Sequence, residues 1–280
     1  MPGGSWAIAA ELEGITMEIA LLQAASPDGE SQLDRIDRIA RLLSDQQGAD
    51  LVVLPELWSA GYFHFDDYPR LSEPLDGPTV RMCQAAARSL GAHVHIGSIV
   101  ERTPNGALRN TSLLLDPSGT VVHQYSKIHV FGYQSQEAQL LTPGDALPVA
   151  DSALGRIAGT TCYDLRFPGL WSELSVRGAE IVVVPAAWPA ARREHWRLLT
   201  STRALEHQVF VIACNAAGQQ NEVQLAGTSR VVDPFGRLIA EAGEHEQVLR
   251  ASVDLAEVAA TRAEFPVIAD RLPDYANLSK

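Results

Sequence analysis

ADLVVLPE (49–56) and EIVVVPAAW (180–188) are the two stretches that decide the fold class. Each is a short, unbroken apolar run rather than an alternation of apolar and polar residues. A strand with apolar side chains on both faces must be covered on both, as in the buried sheets of α/β proteins. Around the first run, MEIALLQA (17–24) is another strand, and Leu33, Ile36, Ile39, Ala40 and Leu43 recur at helical spacing behind Ser31, a suitable cap. Residues 78–90 read as a helix and HVHIGSIVE (93–101) as a strand. NTSLLLDPSGTVVHQYSK (110–127) reads as a hairpin turning at Asp116-Pro117-Ser118-Gly119.

The surroundings of the second run repeat this order. GRIAGTTCYD (155–164) is a strand followed by a short helix ending near Gly178, residues 194–208 are helical, and VFVIACNA (209–216) is a strand. SRVVDPFGRLIAEA (229–242) is a second hairpin, QVLRASVDL (247–255) is the last strand, and a helix follows. Two halves, each of strand–helix–strand units with a later hairpin, point to an α/β chain with two sheets. No linker, low-complexity segment or charge run divides it. We therefore expect a single domain over 17–280, preceded by an N-terminal extension over 1–16.

Composition narrows the function. The chain has 280 residues, 46% hydrophobic and 20% charged, which excludes a mainly disordered chain or a collagen-like repeat. A net charge of −12 without a basic run argues against nucleic acid and anionic membranes as partners. No apolar run approaches the ~18 residues of a membrane span. The extension lacks a positively charged start and a clear cleavage site. Three widely spaced cysteines give neither a disulfide framework nor a C-x-x-C pair, so a cytoplasmic setting is expected. The histidines form no H-E-x-x-H pattern, and no metal is expected. Of the 22 basic residues only Lys127 and Lys280 are lysines, so Lys127 is the single lysine inside the chain.

Three strand ends carry reactive side chains: Glu56, Lys127 and Cys162. In α/β proteins functional residues gather where strands end. A thiol becomes a nucleophile when a base takes its proton or a cation stabilises the thiolate, and Glu56 and Lys127 are suited to those two tasks. Lys127, with a backbone N–H near Cys162, would also stabilise the oxyanion formed on an amide carbonyl, and the protonated glutamate would supply the leaving amine's proton. Each residue also has a plainer reading: core packing for the cysteine, a solvated loop for the glutamate, a surface gatekeeper for the lysine. Cys83 and Cys214, inside apolar patterns, read as core.

LPELWSAGY (54–62), YSKIHVFGY (125–133) and TTCYDLRFP (160–168) together resemble the nitrilase superfamily of carbon–nitrogen hydrolases, with Glu56, Lys127 and Cys162 in the order of that family's triad. The likeness continues through PGD (143–145), RGAEIVVVPAAWP (177–189), RALEHQVFVIACNAAG (203–218) and GTSRVVDPFGRLIAEAG (227–243). The resemblance implies a four-layer α-β-β-α sandwich of two mixed sheets with the site between them, no metal or organic cofactor, and a homodimer or larger homo-oligomer. It implies Glu56 as general base, Lys127 as oxyanion stabiliser, Cys162 as nucleophile and the backbone N–H of Tyr163 as second oxyanion donor. Glu137, six residues before Pro143, falls where many members carry a second active-site glutamate; the other reading is a solvated loop carboxylate.

The amidase branch of the omega-amidase type fits best, acting on a small-molecule amide. Tyr163 replaces the Trp usual in nitrile hydrolases, and Arg166 is followed by Phe167 where carbamoyl-amino-acid hydrolases tend to have two basic residues. N-carbamoyl hydrolysis, nitrile hydrolysis and a catalytically silent interaction protein are the alternatives. Trp188 is either a pocket wall or core, and Arg166 binds either a substrate carboxylate or, structurally, Asp164 or a helix end. His129 reads as structural. Gly169 stands where Glu is common, Glu173 is its nearest substitute, and residues 64–68 (HFDDY) fit no pattern.

Overall fold

The computed structural model describes residues 16–272. The expected N-terminal extension lies outside them, except for Thr16, which already opens the first strand. The first half runs β1 (Thr16–Gln23), α1 (Gln32–Ser44), β2 (Leu51–Val53), α2 (Tyr68–Leu71), α3 (Pro78–Leu90), β3 (His93–His95), β4 (Ile99–Arg102), β5 (Leu108–Leu115) and β6 (Val121–Ser126). The second continues with α4 (Glu137–Leu140), β7 (Val149–Ser152), β8 (Gly155–Gly159), α5 (Pro168–Val176), β9 (Ile181–Ala186), α6 (Arg193–His207) and β10 (Phe210–Asn215). It closes with a small hairpin, β11 (Gln219–Gln220) and β12 (Val223–Gln224), then β13 (Arg230–Val232), β14 (Leu238–Glu241), β15 (Gln247–Asp254), α7 (Ala256–Glu264) and α8 (Val267–Asp270).

Two mixed sheets result. One has the order β15-β1-β2-β3-β5-β4, with β6 also paired to β5; the other is β14-β13-β10-β9-β8-β7. The parallel pairs are β1 with β2, β2 with β3, β8 with β9 and β9 with β10. The last long strand, β15, returns to lie antiparallel to β1 along its whole length.

The period of two along the apolar strands builds the layers. Ile19, Leu21, Leu51 and Val53 of the first sheet meet Ile157, Ile181, Val183 and Ile212 of the second, forming a core between the sheets. Their alternates Ala20, Leu22 and Val52 point the other way, against Ile36, Ile39 and Leu43 of α1 and Val80, Cys83 and Ala87 of α3. In the second sheet Val182, Val184, Val211 and Ala213 pack against Leu170, Trp171 and Leu174 of α5 and Trp196 and Ala204 of α6. Helices, sheet, sheet and helices make the four-layer sandwich. Both α1 and α3 start as their sequences dictate: the Asp34 N–H donates to Ser31 Oγ at 3.2 Å, and α3 has Pro78 in its first turn.

Two strand readings are corrected, and both corrections bear on the site. HVHIGSIVE is two strands, β3 and β4, lying end to end along β5. Gly97 interrupts them with φ 71°, and a Cβ there would run into the Pro55 carbonyl oxygen. The chain bends because it must pass tightly against the segment that carries Glu56. Likewise β8 stops at Gly159, and Cys162 opens a separate 3₁₀ turn, Cys162–Arg166.

Candidate active site

Four chain segments converge between the sheets. Glu56 follows β2, Lys127 follows β6, Cys162 follows β8, and Ala187 and Trp188 follow β9. The seam is tied by backbone: Glu56 N–H donates to Ala186 O at 3.4 Å, and Ala187 N–H donates to Glu56 Oε2 at 2.9 Å. A loop after one sheet thus fixes its carboxylate on a strand end of the other.

Lys127 is fully buried between two equally buried carboxylates. Its Nζ donates to Glu56 Oε1 at 2.8 Å and to Glu137 at 2.7 and 3.0 Å. Asn110 Nδ2 donates to Glu56 Oε1 at 2.8 Å and reaches Glu137 at 3.4 Å, while Tyr62 Oη and the Phe131 N–H each donate to Glu137 Oε2 at 2.8 Å. A buried charge is tolerated only when paired and hydrogen-bonded, and every charge in this cluster is. Burial works against the lysine's charge, but Glu137 and Glu56 outweigh it and hold the ammonium well above the usual lysine range. Burial pushes Glu56 up, Lys127 opposes it, and the Glu137 charge pushes up again.

Cys162 sits at φ 46°, in the left-handed region that side chains other than glycine seldom adopt. Such strain persists where the surroundings over-determine it, commonly at functional positions. Burial, followed by the charge of Glu56, pushes the Cys162 thiol well above the usual thiol range. Asp164 holds the turn. Its buried carboxylate accepts from the Thr161 N–H at 3.0 Å, Tyr125 Oη at 2.7 Å and the His129 N–H at 2.9 Å, and it lies 2.8 Å from His129 Nδ1. Tyr125 and His129 flank Lys127, so one carboxylate sets the lysine segment against the cysteine turn.

A cavity of about 210 Å³ opens over Cys162, bordered by Tyr62, Phe131, Tyr163, Arg166, Trp188 and Arg192. Trp188 is both wall and packed side chain: it borders the cavity, stacks obliquely near Trp196 with centroids 5.6 Å apart, and donates Nε1–H to Arg192 O at 2.8 Å. Arg166 does not pair with Asp164; its guanidinium lies over the Trp188 ring, 4.8 Å from the centroid, and contacts His195 Nδ1 at 3.1 Å. The Tyr163 ring packs edge-on against Phe131 and Phe167. His129 stacks flat on Phe167 at 3.6 Å, a structural contact.

The remaining residues fall outside the site. Cys83 lies on the buried face of α3 and Cys214 between the sheets, and burial pushes both thiols up. Glu173 pairs with Arg177 on an exposed helix face and does not replace the missing glutamate at position 169. Residues 64–68 brace the site from behind: Phe65 packs edge-on against Tyr62, and Tyr68 Oη donates to Tyr62 O at 2.6 Å. Among the described residues no helix is long and apolar enough to cross a membrane.

The sequence does not single out Asn110, Tyr62 or Arg192, and it offers Asp164 only as a partner for Arg166. The hairpin arithmetic does contain Asn110: Thr111 pairs with Ser126, which sets Asn110 opposite Lys127.

Residues 18–263 match the carbon-nitrogen hydrolase family. A relative named 2-oxoglutaramate amidase, from Paenarthrobacter nicotinovorans, is 39% identical over 92% of this chain and 90% of its own length. XC1258 from Xanthomonas campestris, a CN-hydrolase superfamily protein whose crystal structure holds an arsenic adduct in the active site, is 31% identical, with a TM-score of 0.85 over 95% of this chain and 100% of its own. A mutant amidase from Nesterenkonia sp. AN1, with the acetamide moiety of fluoroacetamide added covalently at its active-site cysteine, is 26% identical with a TM-score of 0.79, covering 91% of this chain and 93% of its own.

Proposed function

The chain belongs to the carbon–nitrogen hydrolase family and is a hydrolase of C–N bonds in amides; from that premise we propose that it works through Cys162, by way of a thioester, on a small aliphatic amide. The observation that carries this reading is the buried cluster in which one lysine spans two glutamates, beside the left-handed Cys162 that opens onto the cavity.

The steps follow from the groups' positions. Glu56 takes the thiol proton as Sγ attacks the amide carbon. The resulting oxyanion is stabilised by Lys127 and the Tyr163 backbone N–H. Protonated Glu56 returns the proton to the departing nitrogen, ammonia leaves, and the acyl group stays on Sγ. Water, deprotonated by Glu56, then cleaves the thioester and restores the thiol. Glu137 keeps Lys127 charged and aimed. The covalent cysteine adduct in the Nesterenkonia amidase and the 2-oxoglutaramate amidase activity named for the Paenarthrobacter relative support this reading.

Ammonia release from a panel of small amides, ureido acids and nitriles tests it, with Cys162→Ala as control. We expect ammonia from amides and none from the variant. Turnover in Cys162→Ala would overturn the mechanism, and carbon dioxide released with ammonia would move the substrate to the ureido class.

A further inference from the structure

His64 opens the stretch HFDDY, which fits no pattern in the sequence, and its two ring nitrogens both face oxygen acceptors. Nδ1 lies 3.2 Å from Ala60 O, and Nε2 lies 2.7 Å from Asp28 Oδ1. A neutral imidazole has one N–H and satisfies one of these contacts; only the ring carrying both protons satisfies the two together. The chain makes room for the ring at Gly61 (φ 82°), where a Cβ would run into His64 Nδ1.

Asp28 joins this ring to the hairpin of β11 and β12. Its two carboxylate oxygens each lie 3.2 Å from the Asn221 nitrogen and share its N–H. Asn221 and Glu222, left-handed at φ 42° and 67°, form the two-residue tip between the paired Gln220 and Val223. Asn221 Nδ2 donates to Phe63 O at 2.7 Å, and the Phe63 N–H donates to Gln220 Oε1 at 3.2 Å. Side chains therefore sew the hairpin to the segment before His64. Phe63 and Val223, one from each side of that seam, both border the cavity over Cys162. Phe63 packs edge-on against Tyr62 with centroids 4.8 Å apart, and Tyr62 holds Glu137.

The charges around His64 leave Asp28 for it. The loop after β1 brings Asp28 and Glu30, α1 brings Arg35, the 3₁₀ turn Phe65–Asp67 brings Asp66 and Asp67, and α2 brings Arg70. Glu30 pairs with Arg35 and Arg38, and Asp67 pairs with Arg70. The His64 contact first, and then the Asn221 N–H, holds the Asp28 carboxyl below the usual carboxylate range, so its oxygens accept.

We propose that His64 and Asp28 are positioning residues that clasp the Phe63–Val223 rim of the cavity, and that the clasp is complete only while His64 carries both ring protons. This rests on the amidase reading for its effect on substrate, and not for the clasp itself. Raising the pH removes one ring proton. One of the two contacts then lapses, and the hairpin loses its charged tie to the Ala60 segment. The rim is closed in a smaller share of molecules, which weakens substrate binding by that share. Asp28 is 54% exposed, so solvent screens the pair and keeps the effects modest.

Two measurements test this. The first is deuterium uptake by the peptide covering residues 218–225, without substrate and at one pH, in the wild type, His64→Ala and Asp28→Asn. Both variants are expected to exchange about 3- to 10-fold faster there, between the values of an exposed ion pair and of a charged hydrogen bond. The second is kcat and KM on the best amide from about pH 5 to about pH 9, a span that covers the titration of histidines. Wild-type KM is expected to rise with pH by about 3- to 10-fold, while KM of His64→Ala is high throughout and flat, and kcat follows the same profile in both. Unchanged exchange in both variants, a wild-type KM indifferent to pH, or a His64→Ala KM that keeps the wild-type pH dependence would overturn the clasp and leave the amidase reading intact. Failure of every amide to yield ammonia would strike the amidase reading, and the exchange measurement would still decide the clasp.

Discussion

Two groups of charges belong to the site, one buried behind the cavity lining and one on it, and they are built oppositely. In the buried group, Lys127, Glu56 and Glu137 satisfy one another, with Asn110, Tyr62 and the backbone of Phe131 and Ala187 filling the remaining positions. On the outer wall, Arg166 and Arg192 are half-buried, lie on aromatic rings and have no carboxylate partner within 4.0 Å among the described residues. The inner group resembles a finished ion network: its charges are held in one place so that they need not reorganise during reaction. The contrast separates charge compensated within the protein, around Lys127, from charge on the cavity lining that has no acidic partner within 4.0 Å among the described residues.

The largest expected effect comes from the buried group. Lys127→Arg keeps the positive charge but replaces a compact ammonium with a broad planar fork, in a fully buried space 5.5 Å from the Tyr62 ring. We expect a folded protein, destabilised by about 1–3 kcal/mol through overpacking, with kcat down by about 10²–10³, the range for losing one oxyanion donor. Thermal unfolding and steady-state kinetics measure the two separately. Near-normal turnover would mean that position 127 needs only a charge, and the distinction between the two groups would fail at its strongest point. It would also leave the solitary internal lysine, in a chain that otherwise uses arginine, without a chemical reason.

A smaller effect sharpens the same contrast through pH. Glu56 acts as a base only when ionised, and burial, reinforced by Glu137, raises its pKa. As pH falls through that raised value, activity is lost, so the acid limb of kcat/KM lies above the ordinary glutamate value of about 4.3. Removing the neighbouring charge by Glu137→Gln is expected to move that limb to lower pH, along with a loss of rate. A limb that stays in place or moves upward would show that Glu137 does not set the ionisation of Glu56. Substitution at Arg192, on the outer wall, should leave the limb where it is.

How far the sequence reaches follows the same division. Glu56, Lys127 and Cys162 are legible because each stands at or just past the end of a strand pattern and carries a reactive group. The layers are legible in the unbroken apolar runs at 51–53 and 181–186, although the four-layer arrangement itself came through resemblance. The bend at Gly97 was not legible: Ile96 and Ser98 fit a continuing strand, and only the close approach of Pro55 forces the left-handed glycine. The strand end at Gly159 was missed for a similar reason, because Thr160 and Thr161 are good strand residues and the turn is fixed from outside by Asp164. Arg192 is not legible because its place at the cavity depends on a ring, Trp188, whose own position depends on where β9 ends.

The central claim is that acyl transfer runs through Cys162 and neither of the other thiols. Rapid quenching of the enzyme during turnover of a good amide, followed by intact-mass and peptide mass spectrometry, measures this directly. The account predicts a mass gain equal to the acyl group, carried by the peptide containing Cys162 and absent from Cys162→Ala. An acyl group on Cys83 or Cys214, or full turnover by Cys162→Ala, would contradict it.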